Sequence, residues 1–148
     1  MADLVTAQLR SAAVTRLTGL SLTGVNVFKS RVYPLEDDEL PCLLIATPSE
    51  ENEYLTMDCP RRVRSRITLS VKALAKITNG LDDVLDAICK EVRSVLGSDP
   101  FLGGLSKDLM ITGTKTGMSG EGEQPLGVAS MLFMVEIHTR ENAPDTPI

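Results

Sequence analysis

Apolar and polar positions alternate most clearly over residues 62–75. Val63, Ile67, Leu69, Val71 and Ala73 share one parity, interrupted by Ser65, while Arg62, Arg64, Arg66, Thr68, Ser70 and Lys72 share the other. Side chains alternate across a strand, so this pattern predicts a strand with one apolar and one basic face. A second strand is predicted over 127–139, where Met131, Phe133, Val135 and Ile137 alternate with Leu132, Met134, Glu136 and His138. Shorter strands are predicted near 24–32, over the apolar run Cys42–Ala46, which reads as buried on both faces, and over 108–115.

The period changes elsewhere. Over 3–18, Leu4, Val5, Leu9, Ala12, Ala13 and Leu17 recur at helical spacing, with Asp3 as expected N-cap and Gly19 as the residue that ends the helix. Over 80–96, Leu81, Leu85, Ile88, Val92 and Val95 form one stripe, flanked by Val84 and Leu96. Asn79 fits the N-cap, and Asp82 and Asp83 favour the positive end of the helix dipole. Gly97 fits the position just past the helix, and Pro100 bars its continuation. The expected fold class is α+β: a mostly antiparallel sheet of four or five strands with two helices packed on one face. Residues 1–140 are expected to form a single domain. Residues 141–148, RENAPDTPI without its arginine, carry two prolines and few apolar groups and are expected to be a flexible tail.

Composition narrows the function. The 148 residues carry 43% hydrophobic and 24% charged side chains, as in ordinary soluble domains. Aromatics make up 3%, too few for a base-stacking platform, and a net charge of −5 gives no global attraction to nucleic acid. The N-terminus lacks the basic and apolar regions of a signal peptide, and no apolar run is long enough to span a membrane. Cys42, Cys59 and Cys89, odd in number and irregularly spaced, make no disulfide framework and fit an intracellular or virion residence better than secretion.

Charge is segregated. Glu36, Asp37, Asp38, Glu39, Glu50, Glu51, Glu53 and Asp58 lie in a stretch with no Lys or Arg. The following stretch, free of acids, holds Arg61, Arg62, Arg64, Arg66, Lys72 and Lys76. Two readings stand. The segments are neighbours that neutralise each other within one chain, or the acidic segment of one copy meets the basic strand of the next in a head-to-tail contact that can close a ring. The segment 48–60 reads as a long loop of the kind that partners order, and 117–127, rich in glycine and acid, reads as a long hairpin loop. The expected assembly interface is Arg62, Arg64 and Arg66 with Glu50, Glu51, Glu53, Glu121 and Glu123.

Catalytic patterns are faint. His138 is the single histidine, and no C-x-x-C pair accompanies it, so transition-metal spacing is absent. Gly117–Glu121 departs from G-x-S-x-G at its last position, where Glu121 stands for glycine. No phosphate-binding lysine loop or dinucleotide fingerprint is present. No cofactor, metal or catalytic residue is therefore assigned. Two alternatives are kept: a small hydrolase using Ser119 and His138, and a nucleic-acid-binding module using Arg62, Arg64 and Arg66.

The segments VNVFKSRVYPLEDDELPCLLIATPSEE, RITLSVKALAK, GLDDVLDAICKEV, DPFLGGLSKDLMITGT and GEGEQPLGVASMLFMVEIHT, in this order and spacing, resemble the tail terminator (minor tail) proteins of long, flexible-tailed phages. The resemblance covers nearly the whole chain to about Arg140. It implies a compact sheet with helices packed on it and a structural role without catalytic residues. It also implies a homo-hexameric ring at the head-proximal end of the tail, assembled in the host cytoplasm. Such a ring stops polymerisation of the tail tube protein and offers a surface to the head–tail connector protein, while DNA passes through its lumen without specific binding.

Overall fold

The computed structural model describes residues 3–29, 40–76, 80–119 and 126–148. Its elements in chain order are α1 (Val5–Leu17), β1 (Val27–Lys29), β2 (Cys42–Tyr54), β3 (Arg62–Lys76), α2 (Leu81–Ser98), β4 (Asp108–Ser119) and β5 (Leu126–Arg140). The strands form one sheet in the order β1-β2-β3-β5-β4. Every neighbouring pair is antiparallel except β1–β2, which is parallel. The α+β class and the mostly antiparallel sheet read from the sequence are those observed.

Helix α1 buries Val5, Leu9, Ala13 and Leu17, spaced four apart, so a narrow stripe faces the sheet while Leu4 stays exposed. Its N-cap is Leu4, without a side-chain bond, in place of the expected Asp3; Gly19 follows the end in the left-handed conformation, with φ +97°. Helix α2 buries Leu85, Ile88, Val92 and Leu96. Gly80 is its N-cap, and the helix runs through Gly97 to Ser98, two residues beyond the expected last residue, Leu96. Gly97 carries no left-handed backbone there, and the chain leaves the helix at Asp99, ahead of Pro100. Asn79 lies outside the described residues.

Both helices press on the sheet face made by Ile67, Leu69, Val71 and Ala73 of β3 and Ala129, Met131, Phe133, Val135 and Ile137 of β5, which join them in one buried core. On the opposite face Cys42, Leu44 and Leu74 form a small second cluster with Phe28, Leu40 and Val128. The run Cys42–Ile45 is thus buried on both sides, as its unbroken apolar character predicts.

Two segments are longer strands than the sequence pattern predicts. The stretch read as a loop from Pro48 onward continues β2 to Tyr54, and only the residues between Tyr54 and Arg62 turn back into β3. A bulge between Ala46 and Ser49 accommodates Pro48, which cannot donate to a ladder. β4 likewise runs to Ser119.

The tail, expected to fray, has a docked path. Glu141 N donates to Arg61 O, Val5 N to Pro144 O, and Ile148 N to His138 O; the last bond reaches β5 beyond the end of β4. Gln8 Nε2 also donates to Asp145 O at 2.7 Å.

Candidate functional site

The helix-free face changes character along the strands. Near α2's start it is the small apolar cluster; toward the β2–β3 turn it becomes a charged grid. Register fixes the rows. Glu51 lies beside Arg66, Arg66 beside Glu136, and Glu136 beside Asp108. One row on, Glu53 lies beside Arg64 and Arg64 beside His138; in the next, Arg62 lies beside Arg140. Strand alternation sends all of these side chains to the same face, opposite the core. Four arginines therefore share this region with four carboxylates.

Contacts knit the grid together. Arg64 pairs with Glu53 through Nη2 and Oε2. Arg62 Nη2 lies 3.1 Å from His138 Nδ1, and His138 Nε2 lies 2.9 Å from Glu136 Oε2. A guanidinium only donates, so His138 Nδ1 accepts from Arg62 while Nε2 faces the Glu136 carboxylate. Arg62 Nε and Arg64 Nε are buried without a partner among the described residues, so each guanidinium is only partly satisfied.

The expected interface residues fall into three groups. Arg62, Arg64, Arg66, Glu51 and Glu53 meet on the charged face. Glu50, in register with Ile67, points to the other side of the sheet, where Thr6 Oγ1 donates to it at 3.1 Å. Glu121 and Glu123 lie outside the described residues, as does the acidic run Glu36–Glu39. The antiparallel register between β2 and β3 makes the acidic and basic segments neighbours within one chain, and Arg64 is taken up there. Sequence reasoning passed over Glu136, Arg140 and Asp108 as partners. The parity of Glu136 with His138 on β5 was the available signal, but matching it to the arginines requires the β3–β5 register.

Neither alternative function gains a site. Ser119 is in register with Leu126, and His138 stands twelve residues farther along β5, roughly 40 Å away at strand rise. No hydrogen bond joins positions so placed. The arginines face an equal number of carboxylates, so the grid offers phosphates no net positive surface. Among the described residues no three metal-ligating side chains cluster, and no helix is long and apolar enough to cross a membrane.

The cysteines do not converge either. Cys42 is buried, Cys59 is exposed and Cys89 is half-buried. Burial pushes the Cys89 thiol pKa up and Asp86 adds to the rise, against an opposing effect of Arg93. Alkylation of the native protein at about pH 8 should therefore modify Cys59 first, Cys89 more slowly and faster as pH rises, and Cys42 only on unfolding. Peptide mass spectrometry over a labelling time course checks this order; Cys42 reacting as fast as Cys59 would contradict the fold.

The chain belongs, by architecture, to the two-layer α+β class, with both described helices on one sheet face. No protein-family model and no curated protein matches it. Among solved structures it is similar to a chain from the virion of a native gene transfer agent particle. The TM-score is 0.55 at 12% identity, over 90% of this chain and 98% of that one. A likeness at this identity establishes the shared fold.

Proposed function

We propose that this protein is a structural component of a phage-like virion that caps the tail tube as a ring, ends tube polymerisation and presents the surface for head–tail joining. The observation that carries the reading is the charged grid on the sheet face opposite the main core, which no described helix covers. A grid of paired charges fixes register between partners more than it adds affinity. The fold shared with a chain of a gene transfer agent virion along almost the full length supports the same reading.

The partners in this reading are further copies in a homo-hexamer, the tail tube protein and a head–tail connector protein. At −5 per copy such a ring is strongly acidic. It repels DNA and lets the genome slide through the lumen without specific binding. Electron microscopy of tails assembled without the protein tests the proposal. Overlong or ragged tubes are expected. Tubes of normal length that fail to join heads would restrict the role to joining, and normal tubes that join heads would overturn it.

A further inference from the structure

Among the described residues the sheet has two open edges, and they are unlike. On one side β1 covers only Leu43–Ile45 of β2. Among the described residues no strand flanks Ala46–Tyr54, and residues 48–54 are exposed. On the other side β4 has no neighbour beyond β5 among the described residues, and its residues 112–118 are exposed. An exposed strand edge is a template for another chain, because its outward N–H and C=O groups have only water as partner.

We infer that β4 of one copy pairs antiparallel with the outer edge of β2, beyond Ala46, in a second copy, so that the sheet continues from chain to chain. Charge selects this occupant. The β2 edge strand itself carries Glu50, Glu51 and Glu53 and no base, with Glu53 paired to Arg64 of β3 and Glu50 bonded to Thr6 on the other face, so Glu51 is the acid it offers a partner; Lys115 is the single charge on β4 between 112 and 118. Pairing β2 with β2 sets acid against acid, and pairing β4 with β4 brings the two lysines together; only the unlike pairing avoids like charges. Such a contact is heterologous and generates rings when its rotation closes.

Direction and face agree with this pairing. β2 and β5 run the same way and β4 runs against both, so a copy placed edge to edge brings β4 beside β2 in antiparallel orientation. Glu51 is in register with Arg66. Lys115 is in register with Ser130 and, through it, with Lys72. Arg66 and Lys72 share the helix-free face, so Glu51 and Lys115 share it too. Gly113 and Gly117 flank Lys115 on that face and leave it room. Arg66 and Lys72 are six residues apart, and β1 blocks the unstaggered alternative, so the contact carries a stagger of roughly 20 Å, of the kind strand tilt imposes on a closed sheet.

The pairing deepens the ring reading, and its place in a virion rests on that reading, but it is testable on the purified full chain. The test combines Glu51→Cys and Lys115→Cys in a Cys59→Ser background. Within one chain the two sites lie at opposite sides of the sheet, roughly 20 Å or more apart, beyond disulfide reach. Mild oxidation should give a ladder of covalent oligomers on a non-reducing gel. Monomer alone, at every concentration up to the solubility limit, would overturn the pairing. Should that variant not fold, a charge swap decides. Lys115→Glu should weaken self-association about tenfold by sedimentation, and adding Glu51→Lys should restore it; failure of the restoration would overturn the pairing. Ladders from a protein absent from tails would keep the pairing and end the tail reading. Capped tails whose double-cysteine protein never cross-links would do the reverse.

Discussion

Phe133→Ala should lower the unfolding free energy by about 3–5 kcal/mol, whereas Met134→Ala, one residue along the same strand, should cost at most about 1 kcal/mol. Phe133 is 2% exposed and sits in the main core, on the side where α1 and α2 press on β3 and β5. Truncating it removes apolar surface from a packed interior and leaves a cavity that the sheet, fixed by ladders on both sides of β5, cannot close. Met134 faces the opposite way, beside Thr68 and Met110, on the helix-free side. A protein of this size has about 5–15 kcal/mol of stability in all, so the first change approaches the threshold for folding and should lower the melting temperature by about 10 °C. Urea denaturation of both variants measures the contrast. Equal losses would mean that the helix-free face is covered as fully as the core.

Legibility of the sequence follows burial. α2, β3 and β5 could be read almost to their ends because each carries an apolar stripe against the core, broken in β3 only at Ser65, and period is a record of what is buried. The second half of β2 could not. Ser49–Tyr54 lies beyond the main core, so neither parity is apolar, and backbone pairing with β3 holds the strand in place. The polar end of β4, Thr112–Ser119, extends for the same reason. The parallel β1–β2 pair escaped too: three residues of β1 give no period, and parallel or antiparallel sense is set by where the chain returns. Of the candidate site, the alternating arginines were visible in the sequence. Glu51 and Glu53 were legible as their counterparts, but Glu136 and His138 were not, because these reach the arginines only through the β3–β5 register, which leaves no local trace.

The charged grid itself should govern assembly far more than folding. Reversing both arginines, Arg64→Glu with Arg66→Glu, sets a carboxylate beside Glu53 and another between Glu51 and Glu136. Like charges directly opposite cost about 0.2–1 kcal/mol each, and the grid is partly exposed, so the loss of stability should stay near 1–2 kcal/mol and leave the fold intact by circular dichroism. The surface changes much more. Four bases facing four acids become two bases facing six acids, turning a charge-balanced face into a strongly negative one. A partner matched to the original pattern then meets repulsion at several points at once, with the effect concentrated in the association rate and strongest at low salt. The double variant should be folded yet absent from assembled particles, measured by immunoblot of purified virions. Raising ionic strength should restore part of its association with wild-type protein. Incorporation at the wild-type level would remove the grid from the assembly surface and leave the sheet edges to carry it alone.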